Sequence, residues 1–284
     1  MAAAALACRG EPSPAAADAG AAPDRTYRMA DYAAALWLDA RVARLSLLAS
    51  EYRAALAGSR GAALRRRTVE LDARLDAAAS LAGQALEAVT DPRDRVLAAP
   101  LVAAAQRWPA LLRQARRERL APARGGDDAA RVLGTADAEV ARALDAYRRS
   151  RNGWILVGGH PEEAGPAAFL SSRRALEQAE ARLGKRLPQG PAEVGPDLRG
   201  ARQGIQSSIQ RARTAAEAVD PARRPAARAW VDAQGRALVA LLDLAEAREP
   251  DRLRLSLAYQ AAKVEALEAV AEWARLTAAP APGR

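Results

Sequence analysis

The stretch LRRRTVELDARLDAAASLAGQALEAV, residues 64–89, decides the fold. Its Leu64, Thr68, Leu71, Leu75, Ala78, Ala82, Ala85 and Val89 follow one another at spacings of 4, 3, 4, 3, 4, 3 and 4. An α-helix completes a turn in about 3.6 residues, so alternating steps of three and four bring every one of them to the same narrow face. A stripe that long is what a helix needs to pack along a neighbour in a bundle.

Neighbouring segments repeat the pattern. Leu38, Val42, Leu45, Ala49, Tyr52 and Leu56 mark one helix, and Leu97, Leu101, Ala104, Trp108, Leu111 and Ala115 another. Near the C-terminus Leu253, Leu257, Gln260, Val264, Leu267, Ala271 and Ala274 mark a third. Asp91-Pro92, Asp220-Pro221 and Glu249-Pro250-Asp251 supply acid and proline at first turns, and arginines gather at 116–119 and 148–151, where helices end. These signals predict about eight helices, near 25–57, 60–90, 92–119, 127–151, 163–184, 197–219, 221–248 and 250–277. Pro100 and Pro109 predict kinks in the third.

Composition agrees. Of 284 residues 77 are alanine, the best helix former, while β-branched residues are sparse and the aromatics are one Phe, five Trp and five Tyr. The fold class is all-α, with the helices expected as two four-helix-bundle-like halves. The organisation that follows takes residues 1–8 as the remnant of a signal peptide, 9–23 as a flexible tether and 24–151 as the first helical half. A connector follows at 152–166, then the second half at 167–278 and a disordered tail at 279–284. The connector holds the one β-like run, Trp154-Ile155-Leu156-Val157, before Gly158-Gly159. Glu87-Ala88-Val89-Thr90-Asp91-Pro92 and Glu217-Ala218-Val219-Asp220-Pro221 are the kind of match an internal duplication leaves. So Ala-rich a chain also produces such matches without one, and Glu268-Ala269-Val270 is a partial third copy.

Catalytic and metal chemistry find little to work with. His160 is the only histidine and Cys8 the only cysteine, so there is neither a zinc ligand set nor an internal disulfide. His160 before Pro161-Glu162-Glu163 has the residue types of a general base with a carboxylate, but fits a helix-preceding surface position better. Gly158-Gly159 lacks the Gly-Lys-Ser/Thr of a phosphate loop, and Ser171-Ser172 and Ser207-Ser208 lack a nucleophile elbow. Glu139 and Asp145 stand singly on helices. The expectation is a protein that is not an enzyme and holds no cofactor and no metal. Trp37, Trp108, Trp154, Trp230 and Trp273 are spread singly and suit helix packing.

Charge is the other signal. Lys and Arg number 43 against 34 acids, a formal +9, and only Lys185 and Lys263 are lysines. Between 107 and 124, Arg107, Arg113, Arg116, Arg117, Arg119 and Arg124 face a single acid, Glu118; Arg113, Arg116 and Arg117 share a helix face, and Arg65, Arg66 and Arg67 form a second cluster. Two readings stand: a solvated face with charges that suit a helix end, or a surface for nucleic acid, polyphosphate or anionic headgroups.

The chain opens MAAAALACRGEPSPAAADAGAAPD. Ala5-Leu6-Ala7-Cys8 resembles the lipobox of the bacterial lipoprotein class, with Ala5 where leucine is usual, and residues 9–23 resemble the spacer behind a lipidated cysteine. Seven residues precede Cys8, fewer than the roughly 15–30 of a secretory signal. The resemblance implies lipid attachment at Cys8 and a place outside the cytoplasm, in the envelope, with the membrane reached through that anchor rather than a transmembrane helix. Ala40-Arg41-Val42-Ala43-Arg44-Leu45 is also similar to the Arg-Val-x-x-Arg run of the CHAD polyphosphate-binding domains. Those domains carry histidines there, this chain has Asp39 and Ala40, and no binding residue carries over. The functional expectation is a non-enzymatic binding or scaffolding module of the bacterial cell envelope with an unknown protein or envelope partner. The alternative is a cytoplasmic protein binding polyphosphate or nucleic acid through Arg65, Arg66, Arg67, Arg113, Arg116 and Arg117.

Overall fold

Helix α1, Met29–Gly58, is the longest of the described elements. The computed structural model describes residues 26–120, 127–151, 154–156, 159–160, 164–186, 197–247 and 251–278. Cys8 and the lipobox-like run, the tether 9–23, Arg124, Gly158, residues 161–163, the loop up to residue 196 and the tail 279–284 lie outside the described residues. Within them the order is β1 (Thr26–Tyr27), α1, α2 (Gly61–Glu87), α3 (Pro92–Gln106), α4 (Trp108–Leu120), α5 (Asp127–Arg151) and β2 (Ile155–Leu156). The second part follows as α6 (Ala167–Arg186), α7 (Asp197–Glu217), α8 (Arg224–Glu246) and α9 (Asp251–Ala278). The protein is all-α apart from one parallel pairing of two residues, Thr26 with Ile155 and Tyr27 with Leu156.

All eight stripe residues of the 64–89 segment are buried. So are Leu38, Val42, Leu45, Ala49 and Tyr52 of α1, each fully covered. The chain reverses from α1 into α2 through Ser59 and Arg60, both extended, and Gly61, whose φ of 53° favours glycine. The helix expected at 92–119 is two helices meeting at Arg107. Pro109 has no N–H for the carbonyl of Ala105 and its ring crowds that carbonyl, so α3 ends and the proline sits in the first turn of α4, where it is tolerated. Pro100 stays inside α3. It lacks the N–H that would bond the carbonyl of Val96, a residue that is exposed. At the other end, Leu253 of the expected α9 stripe is 55 % exposed, and the buried face of α9 begins further along at Ala262 and Val264.

Buried side chains fall into two large clusters. The first runs from Tyr27 to Leu156 and draws on α1–α5 and the connector. The second runs from Phe169 to Trp273 and draws on α6–α9. A third, small cluster joins α1 to α9: Ala33, Leu36 and Ala40 meet Ala271 and Ala274. The low residue numbers of α1 meet the high ones of α9, so these two helices run antiparallel. Small side chains at the seam let the backbones approach closely. Arg44 holds Glu268 across it with two bonds, Nε to Oε1 at 3.1 Å and Nη2 to Oε2 at 2.5 Å. The two matching sequences at 87–92 and 217–221 build different helix entries: Asp91 caps α3 directly, whereas Asp220 lies four residues before α8. Val89 and Val219 are buried, Asp91 accepts from the Arg93 N–H at 2.8 Å, and Asp220 accepts from the Arg223 N–H at 3.1 Å.

Candidate anion-binding site

The two arginine clusters singled out by the sequence lie on α2 and α4, and the structure brings them to one end of the molecule. Arg113 Nε donates to Asp72 Oδ1 at 3.3 Å and its Nη2 bonds Asp76; Arg116 Nη1 bonds Asp72 and donates to Thr68 Oγ1 at 3.2 Å. Moving up α4 from 113 to 116 therefore moves down α2 from 76 to 68. The helices are antiparallel, and the C-terminal turn of α4 lies beside the first turns of α2.

This geometry divides the six predicted residues. Arg113 and Arg116 are held by Asp72 and Asp76, so their charge is answered locally. Asp72 also accepts from Tyr52 Oη of α1 at 3.3 Å and so ties three helices together. Burial, with the charge of Asp72 adding to it, pushes the Tyr52 phenol up to about 12. Arg67 donates to Ser59 Oγ at 3.2 Å and has no acidic partner among the described residues. Arg65, Arg66 and Arg117 are exposed and have none either. Arg60, before α2, and Arg119, on the last turn of α4, join them in the same condition. Two acids described near this end are Glu118, which accepts from Gln114 Nε2 at 3.0 Å, and Glu70, 3.9 Å from Arg74. Arg60 precedes the N-terminus of α2, which has no acidic residue in its first turn, so the helix dipole adds to the positive potential.

Elsewhere most of the described arginines are paired with acids, although Arg93, Arg95, Arg142 and Arg182 are exposed without one among these residues. Arg41 and Arg44, in the run that is similar to the polyphosphate-binding domains, both reach Glu268 in the α1–α9 seam, and Arg41 also lies 3.9 Å over the Trp37 ring. A groove along α7, α8 and α9 is floored by Ile209, Gly235, Val239 and Leu255. Its rim pairs Arg213 with Asp232 and Arg236 with Glu265, so it presents no single sign of charge.

Two buried polar networks were invisible in sequence. Asp39, on α1, accepts from Arg148 Nη2 and from Arg151 Nη2, each at 2.7 Å. Burial pushes its carboxyl up, but the two guanidiniums outweigh this and hold it below the usual carboxylate range. Nearby, Tyr27 Oη, Tyr147 Oη, Arg151 Nε and Nη1 and Trp154 Nε1 are buried without a hydrogen-bond partner among the described residues. Tyr27 stacks on Trp154 at 3.7 Å, and Tyr32 meets both Trp154 and His160 edge-on, so the connector is pinned by aromatic rings. In the second cluster Glu180 accepts from Tyr259 Oη at 2.5 Å, Gln234 Nε2 at 2.6 Å and Lys263 Nζ at 2.7 Å. Burial opposes its charge, and these three donors outweigh burial, so its carboxyl lies below the usual range. Trp230 and Trp273 pack on Phe169.

Among the described residues no group of three or more His, Cys, Asp or Glu is placed to hold a metal ion. None of the described helices is long and apolar enough to cross a membrane. Comparison with protein-family models, with curated proteins and with solved structures gives no match.

Asp72 and Asp76, which decide the fate of Arg113 and Arg116, did leave a signal: they sit one turn apart on the flank of the α2 stripe, facing the same way. Arg60 left none, because a single arginine between helices has no periodicity to betray it.

Proposed function

We propose that the chain is a non-enzymatic helical binding module whose ligand is a polyanion. One observation carries this reading: Arg60, Arg65, Arg66, Arg67, Arg117 and Arg119 gather at one end without acidic partners among the described residues, while most described arginines elsewhere are paired. An exposed pair is worth little to stability, and six unmatched guanidiniums repel one another until something anionic is bound. Arginine suits the task, since its fork meets phosphate or carboxylate oxygens two at a time.

The test is binding of fluorescent polyphosphate, or single-stranded DNA of similar charge, across a salt series. Neutralising Z charges gives a slope of log K against log salt of about −0.7Z for a single strand. Replacing Arg65, Arg66, Arg117 and Arg119 together by glutamine should flatten that slope by roughly 3 and weaken binding more than tenfold at low salt. Gln at Arg213 and Arg236, which are paired, should leave both unchanged. Equal loss from the two sets would sink the proposal.

The same module, in our reading, is held to the extracytoplasmic side of a bacterial membrane through Cys8. Support comes from Ala5-Leu6-Ala7-Cys8 and the Pro/Ala/Gly-rich residues behind it. In the native host, Cys8→Ala should move the protein from the membrane to the soluble fraction and abolish incorporation of labelled fatty acid. Retention of either property removes the anchor.

A further inference from the structure

One Phe, five Trp and five Tyr are all the large aromatic side chains of the sequence, and every one lies within the described residues. Eight of them are buried. The other three, Tyr32, Trp37 and Tyr259, are half-buried and engaged. Tyr32 meets Trp154 and His160 edge-on, with ring centroids 6.1 and 5.6 Å apart. The Arg41 guanidinium covers one face of Trp37, 3.9 Å from its centroid, and Tyr259 donates its hydroxyl to Glu180 at 2.5 Å. The ring tied into the arginine end is Tyr52. It is fully covered and bonds Asp72, the acid that also holds Arg113 and Arg116. Among the described residues no aromatic side chain stands exposed beside Arg60, Arg65, Arg66, Arg117 and Arg119, nor beside exposed Arg93 and Arg95 on α3.

We propose that the ligand is a base-free polyanion, recognised by its line of charge alone. This rests on the polyanion reading above and narrows it to chains, such as linear polyphosphate, whose charged groups carry nothing that needs a platform. Proteins hold single-stranded nucleic acid by two kinds of contact: cations that follow the backbone, and aromatic rings on which successive bases stack. One stacked base strengthens binding roughly fivefold to more than a hundredfold. Here the rings are spent on packing, and the surface offers only the first kind of contact. Guanidinium forks meet phosphate oxygens two at a time, so a bare phosphate chain gains all that this surface can give. A nucleic acid gains no more through its backbone and brings bases that find no ring. Either group of exposed arginines meets the ligand in this way, since neither has an exposed aromatic side chain beside it.

The experiment removes the bases and keeps the charge. Binding of the full chain is measured at low salt to three probes with the same number of phosphates: oligothymidylate, a strand of abasic units with the same backbone, and linear polyphosphate. Recognition by charge alone requires the two strands to agree within about threefold, less than one stacked base contributes, and polyphosphate to bind at least as tightly as either. Oligothymidylate binding more than threefold tighter than the abasic strand or than polyphosphate would show that bases are read, and would overturn the proposal while leaving polyanion binding intact. Absence of binding to all three probes would overturn the polyanion reading and this proposal with it.

Discussion

Asp39 shows how much a single residue does that its neighbours in sequence do not announce. It is 4 % exposed, and its partners Arg148 and Arg151 lie more than 100 positions away, so no spacing rule links them. Removing the acid leaves Arg151, itself buried, without an anion. Breaking a buried pair in this way costs about 3–5 kcal/mol, and the partial exposure of Arg148 puts Asp39→Asn at the lower end, about 3 kcal/mol. The folded carboxyl titrates below the unfolded one. Its contribution is therefore complete above about pH 4, the unfolded value, and is lost as pH falls through the folded value. Urea unfolding of wild type and Asp39→Asn should differ by about 3 kcal/mol at pH 7 and pH 5, and the gap should close below pH 4. A gap that is absent at pH 7, or that persists unchanged into acid, would show that the ion pair is not what holds α5 to α1.

Helices were legible wherever large apolar residues mark a stripe. The α2 segment is the clearest case, with every predicted face residue buried. Legibility failed where alanine is the informative residue. Ala33, Ala40, Ala271 and Ala274 build the α1–α9 seam, yet exposed Ala62 and Ala63 look no different in sequence, because alanine is as good on a helix surface as at a close contact. For the same reason α1 reads as a helix with one apolar face, whereas it buries one toward α2 and a second toward α9. Leu253 failed in the opposite direction: it continues the period of α9, but it is exposed, and the buried face of α9 starts at Ala262. The candidate site was half legible. Arginine clustering located it, but which arginines are matched depends on the crossing of α2 and α4, which brings residues about 40 positions apart into register.

At the scale of the molecule, two clusters with separate interiors raise the question of whether they unfold separately. Each is built from helices close in sequence, and the boundary between them falls in the connector. Opposing this, α1 and α9 lie antiparallel over a small-residue seam with a two-bonded ion pair, so neither cluster opens without exposing the other's flank. We expect one transition. Hydrogen exchange read by peptide should give the slowest amides of α2 and of α8 the same opening free energy. The seam is the place to break that coupling. Ala271 is fully buried against α1, and Ala271→Leu adds volume where there is none, at a typical overpacking cost of about 1–3 kcal/mol. The loss should fall on the contact between the clusters rather than within either one, so in this variant the α2 and α8 amides should diverge while each helix keeps its protection. If wild type already shows two opening energies, the seam does not couple the clusters. If the variant loses protection equally in both, the seam is part of one indivisible core.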